Sequence, residues 1–145
     1  MRACVLESMN FNLVIPEAIF DQNGYLAGSD QHRADLLNQL FADPDIDGII
    51  CARGGYGAMR ILQLLDVDAI SSHPKVFVGF SDITVLLDFL VQRCHMVAFH
   101  GPTVTTLGKA DALARDRFLL ALSKPEPLSL SAVSSQVIQS GITAG

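Results

Sequence analysis

The chain has 145 residues, half of them hydrophobic and 17% charged, with a formal net charge of -5 and no Lys/Arg cluster. That size and composition describe one domain with a core of its own, needing neither disulfides nor a metal, and they exclude a disordered tail. The acidic balance speaks against nucleic acid and anionic membrane as partners, and Asp88, Arg93 and Lys109 cut the apolar stretches before a membrane span of about 20 residues can form.

In chain order, Met1 to Met9 reads as a short helix, and not as a secretory signal, because Glu7 interrupts the apolar stretch and no small-residue cleavage site follows. Phe11 to Pro16 ("FNLVIP") reads as a strand, and "DQNGYLAGS" as a loop with two glycines. A helix is expected from Asp30, read as its cap, with Ala34, Leu36, Leu37, Leu40 and Phe41 on an apolar face and Pro44 closing it. Asp47 to Cys51 is a compact buried strand, followed by "ARGGYG" and then "AMRILQLLD" at helical spacing. Lys75 to Phe80 is the next strand. The helix after it should begin at Asp82 or one residue later, with Ile83, Leu86, Leu87, Leu90 and Val91 on one face. Met96 to His100 is another strand and Asp111 to Leu122 another helix; the Ser-rich tail after Lys124 has room for short strands only.

Strands alternating with helices imply right-handed crossovers and a parallel α/β sheet covered on both faces. Ligands in such sheets gather beyond the carboxyl ends of the strands. Three strand ends carry unusual sequence, "CARGGYG", "GFSD" and "FHGP", and they are expected to be neighbours on one rim. Cys4, Cys51 and Cys94 are far apart without C-x-x-C spacing, as befits reduced thiols, and the four histidines lack metal-ligand spacing.

The glycine loop is not a nucleotide motif. Counting from Gly55, Gly57 fits G-x-G-x-x-G but Arg60 stands at the third position, and no Gly-Lys-Ser/Thr follows. It reads either as a tight turn at positive φ or as exposed backbone N–H groups beside an acyl group, with Arg53 placed to grip a carboxylate. Ser81 likewise has two readings. As a helix cap it would bond the backbone of Ile83 or Thr84, although Thr84 stands where a capping box has Glu or Gln. As a nucleophile it would project from a strained strand-to-helix elbow, with the N–H of Asp82 receiving the oxyanion; Gly79 matches the first glycine of G-x-S-x-G and Ile83 replaces the second. His100 before Gly-Pro is read as ordering a turn rather than as a base for Ser81; His32, His73 and His95 are read as surface residues.

Taken together, "GYLAGSDQHRADLLNQLFADPDIDGIICARGGYGAMRILQLLD", "HPKVFVGFSDITVLL" and "FHGP" resemble the LD-carboxypeptidase family, metal-free serine peptidases that include muropeptide carboxypeptidases and microcin C self-immunity proteins. The resemblance implies a flavodoxin-like three-layer α/β domain, with Ser81 as nucleophile, Gly55 and Asp82 as oxyanion-hole donors, and Arg53, Gly54 and Tyr56 in the substrate pocket. It implies no cofactor, a cytoplasmic peptide or muropeptide substrate losing a C-terminal residue such as D-alanine, and homodimers in many members. The family's triad glutamate and histidine lie in a separate C-terminal domain. Glu126 and His100 match neither, so residues 1–145 are expected to be a nucleophile-bearing domain lacking a first strand and the C-terminal domain. The alternative expectation is a catalytically incomplete remnant that keeps the fold and a pocket for peptide carboxylates.

Overall fold

The computed structural model describes residues 4–124. Its centre is a parallel sheet in the order β1 (Gly48–Ile50), β2 (Val76–Gly79), β3 (Phe99–His100). The register pairs Gly48 with Val76, Ile50 with Val78 and Gly79 with His100. β2 shows why this sequence builds three layers. Successive side chains of a strand point to opposite faces, so Phe77 joins one buried cluster and Val78 the other, and both are essentially inaccessible to water. Each side chain stabilises the fold by about 1.5–3 kcal/mol relative to exposure. The same alternation sends Ile49 to the first cluster and Ile50 to the second.

The first face is covered by α2 (Asp30–Ala42), a 3-10 segment over Ala58–Leu64, α3 (Val67–Ser72) and α4 (Thr84–Cys94); Phe41 stacks on Phe77 with ring centroids 6.1 Å apart. The other face is covered by α1 (Cys4–Glu7), α5 (Val104–Leu107) and α6 (Ala112–Ser123), through Leu6, Leu107 and Phe118. This is the expected parallel-sheet α/β domain with three layers.

Several local expectations change. Residues 11–16 form no strand: Phe11 and Leu13 pack on the second cluster, but no neighbouring strand among the described residues offers a ladder. The cap of α2 is Ser29, whose side chain accepts from the His32 N–H, and Asp30 is the first helical residue. "AMRILQL" is a 3-10 segment rather than an α-helix. Its two buried residues, Ala58 and Ile61, stand three apart, which is one 3-10 turn. His32 is half-buried, its Nε2 3.0 Å from the Ala18 carbonyl, because an unanticipated 3-10 turn at Glu17–Phe20 folds over it. Val91, assigned to the apolar face of α4, is exposed, while Leu86, Leu87 and Leu90 are buried. Cys51 and Cys94 are free thiols. The expected short strands of the tail, Glu126 and the side chain of Cys4 lie outside the described residues.

Candidate active site

The rim is assembled by backbone hydrogen bonds that tie the three strand ends to one another. The Cys51 N–H donates to the Val78 carbonyl, and the Gly101 N–H donates to the Gly79 carbonyl, both at 3.0 Å. The N–H groups of Val104 and Thr105, at the start of α5, donate to the carbonyls of Cys51 and Ala52. "ARGGYG", "GFSD" and "HGP" thus leave adjacent strands at the same, carboxyl end of the parallel sheet, the end where ligands bind in α/β sheets.

Ser81 sits at the sharpest bend of that rim. Phe80 is fully extended, and Ser81 then takes φ 65, left-handed backbone that a non-glycine residue adopts at a cost of about 1–3 kcal/mol. A 3-10 turn over Ser81–Ile83 runs directly into α4. Two glycines make the bend possible. A β-carbon at Gly79 would lie 2.5 Å from Ile83 Cγ2 and 3.3 Å from Cys51 Sγ, so the strand can turn this tightly only without a side chain there. A β-carbon at Gly54 would lie 2.9 Å from Ser81 Cβ and 3.2 Å from its Oγ, so the glycine loop rests directly against the serine.

The capping role read for Ser81 is not realised. Neither the 3-10 turn nor α4 has a side-chain cap, and Phe80 occupies the cap position of the turn. The Ser81 side chain is exposed. The first intrahelical bond runs from the Ile83 N–H to the Phe80 carbonyl at 3.4 Å, which leaves the amides of Ser81 and Asp82 upstream of it, as at any helix start. Gly55, at φ 152, is exposed and has open space around it; Arg53 and Tyr56 are also exposed on this loop. His100 packs edge-on against Phe80, ring centroids 6.3 Å apart, and among the described residues no hydrogen bond joins it to Ser81. Burial pushes the Cys51 thiol up to about 12, so the cysteine beside the elbow is protonated and unreactive at neutral pH. Among the described residues no group of His, Cys, Asp or Glu is arranged to hold a metal.

Several residues around the loop escaped the sequence reading. The Asp82 carboxylate, not only its backbone, takes part: its Oδ2 accepts the Ala58 N–H at 2.9 Å. Arg33 donates to the Gly57 carbonyl at 3.0 Å and to Asp30 at 2.5 Å, and Arg60 bonds Asp30 through Nε and Nη2. The Arg60 guanidinium holds the Asp30 carboxyl below the usual carboxylate range. Tyr25 packs against Tyr56, centroids 6.0 Å apart. The i,i+3 spacing of Asp30 and Arg33 was a legible signal for their pair; the remaining contacts bridge 24 or more residues of sequence and left none.

A parallel α/β sheet carrying a serine at positive φ on a strand-to-helix turn, beside a glycine loop, is the geometry that nucleophile elbows of α/β hydrolases also use. Residues 2–101 match the model of the LD-carboxypeptidase N-terminal domain, and the chain belongs to that family. It is 40% identical over 101 residues to a probable murein peptide carboxypeptidase of Bacillus subtilis, a match covering 70% of this chain and 32% of the relative. Among solved structures, the wild-type microcin C7 self-immunity protein MccF superposes with a TM-score of 0.82 at 28% identity, covering 90% of this chain and 41% of that one. Muramoyltetrapeptide carboxypeptidase from Oxalobacter formigenes superposes with a TM-score of 0.76, also at 28% identity, covering 86% and 43%. The chain therefore spans about a third to under half the length of the proteins it matches.

Proposed function

We propose that this chain is the nucleophile domain of a serine-type LD-carboxypeptidase acting on peptides of the muropeptide kind. The observation that carries the reading is Ser81 itself: exposed, left-handed, uncapped and in contact with the glycine loop. In the proposed reaction Ser81 Oγ attacks the carbonyl that precedes the C-terminal residue. The N–H groups of Gly55 and Asp82 receive the developing oxyanion, and the positive end of the turn favours it. Arg53 pairs with the substrate's terminal carboxylate, while Gly54 and Tyr56 shape the pocket. The leaving amine departs with a proton, an acyl-enzyme forms at Ser81, and water releases the shortened peptide. The glutamate and histidine that activate Ser81 come from a C-terminal domain; the whole assembly is cytoplasmic and free of cofactor, and a homodimer is open to it.

A second reading, a remnant that keeps only a carboxylate-binding pocket, is favoured by one observation. Among the described residues nothing hydrogen-bonds Ser81 Oγ, and a serine hydroxyl without a base is a weak nucleophile. The two readings separate in a hydrolysis assay on a tetrapeptide ending in D-alanine. The chain alone should show no turnover. Joined to a C-terminal domain of the family it should turn over, and Ser81→Ala in the joined protein should abolish activity while the fold persists. Turnover that survives Ser81→Ala refutes the nucleophile assignment; a joined protein that stays inactive favours the remnant.

A further inference from the structure

The Gly57–Ala58 peptide is held at both ends by side chains distant in sequence. Its carbonyl accepts from Arg33 Nη1 at 3.0 Å and from the Arg60 N–H at 3.2 Å. Its N–H donates to Asp82 Oδ2 at 2.9 Å. We propose that Arg33 and the Asp82 carboxylate are positioning residues that clamp this one peptide unit between them, and so set the direction of the glycine-loop amides for the acyl transfer at Ser81. The inference rests on the reaction proposed above.

The loop needs such a clamp for a physical reason. Glycine visits both signs of φ at little cost, so a loop with Gly54, Gly55 and Gly57 can rotate its peptide planes freely. Gly55 is exposed and has no neighbour that would limit it. The loop is therefore defined at its flanks: Gly54 rests on Ser81 at one end, and Gly57 is locked at the other. Gly57 is buried at φ 108, and a β-carbon there would lie 2.9 Å from Leu26 Cδ2 and 3.3 Å from both terminal nitrogens of Arg33. The guanidinium thus covers the glycine. Asp30 fastens Arg33, and Arg60, two residues beyond Ala58, fastens Asp30, closing a ring of contacts back onto the loop. Arg33 Nε is buried with no hydrogen-bond partner in the described structure, so the side chain is placed to reach Gly57 although one of its own donors goes unmet. Rotation of the peptide would break the Arg33, Arg60 and Asp82 bonds together. Asp82 adds a second consequence: it follows the nucleophile directly, so its carboxylate couples the elbow to the loop.

The test has two arms. In the first, amide hydrogen exchange is measured on the 145-residue chain and on Arg33→Met, Asp82→Ala and Asp82→Asn variants. Arg33→Met and Asp82→Ala should speed exchange of the Ala58 amide by about 10-fold or more relative to the core amide of Leu90, as local opening does. Asp82→Asn keeps an acceptor oxygen and should hold Ala58 near the parent rate. In the second arm the same variants are assayed in the chain joined to a family C-terminal domain. Arg33→Met and Asp82→Ala should lower kcat on the order of 10- to 100-fold while KM changes little, because misdirected donors weaken transition-state binding rather than substrate binding. Asp82→Asn, which keeps an acceptor for the Ala58 N–H, should lower kcat clearly less than Asp82→Ala does. The Arg33→Met/Asp82→Ala double variant should be little worse than the poorer single one, since both break one device. Ala58 exchange that simply tracks Leu90 in Arg33→Met and Asp82→Ala overturns the clamp, and a loosened Ala58 with undiminished kcat overturns its catalytic role. Should Arg33→Met fail to fold, the contrast between Asp82→Ala and Asp82→Asn decides. Turnover that survives Ser81→Ala removes the proposed reaction, whereas the exchange arm, which needs no turnover, still decides the clamp.

Discussion

Ser81 shows how a single backbone angle carries functional information. At φ 65 its β-carbon crowds the backbone, and no cap bond offsets that cost. Replacing the side chain separates strain from chemistry. Both Ser81→Ala and Ser81→Gly remove the hydroxyl, but only glycine relieves the crowding, so Ser81→Gly should be the more stable of the two by about 1 kcal/mol in urea unfolding. The reverse order would mean the elbow is unstrained. Cys51, whose sulfur lies beside Gly79, supplies a prediction with a defined pH sign. Its thiol is pushed up to about 12 by burial, so the folded state favours the protonated form more than the unfolded chain does. Stability is unaffected below the ordinary value of 9.0 and falls as pH rises from there towards about 12. Iodoacetamide at pH 8 should accordingly spare Cys51 in the folded chain and modify it only on unfolding, as peptide mass mapping would report; rapid labelling of the native chain would contradict the burial.

At the scale of elements, the ion pairs around Asp30 join the start of α2 to the 3-10 segment at Ala58–Leu64. The hydrogen bond from Arg60, followed by that from Arg33, lowers the Asp30 pKa from its ordinary 3.8. A depressed carboxyl contributes stability that is fully present above 3.8 and is lost as pH falls through its lower folded value. Thermal melts should therefore show Asp30→Asn below the parent chain at pH 6, with the gap closing in acid beneath 3.8. A gap independent of pH would place the contribution of Asp30 in packing instead. Elements also mark where a sequence pattern misleads. "FNLVIP" has the composition of a strand, yet a strand exists only as half of a pair, and residues 11–16 have no partner among the described residues. "AMRILQL" has apolar residues at helical spacing, but a residue pair three apart suits a 3-10 turn as well as an α-helix.

For the whole molecule, what matters is the apolar surface left in water. Val14, Ile15, Phe20, Tyr25, Tyr56 and Met59 are all exposed, and a hollow between the 3-10 segment and α4 is lined by Met59, Leu62, Val85 and Phe89 together with Thr84, Asp88, Gln92 and Arg93. Where such side chains adjoin, as Tyr25 and Tyr56 do, exposed apolar surface favours association with a partner surface. Light scattering on the purified 145-residue chain should show concentration-dependent association, relieved when a C-terminal domain is joined to it. A chain that remains monomeric at high concentration would show that this surface needs no cover.

The sequence by itself determined the layered parallel sheet, through alternating apolar strands and helical faces, and it placed Ser81, the glycine loop and His100 on one rim. These are local facts: periodicity lies within a window of residues, and a strand end is adjacent in sequence to the loop it feeds. Whether Ser81 caps a helix or stands strained and free was decided only by the tertiary structure, because both outcomes share the same residues and differ in one backbone angle. The contact of Gly54 with Ser81, the bond of Asp82 to Ala58 and the reach of Arg33 to Gly57 likewise required the folded chain. Each joins segments more than twenty residues apart, and no local pattern specifies a distance across a sheet.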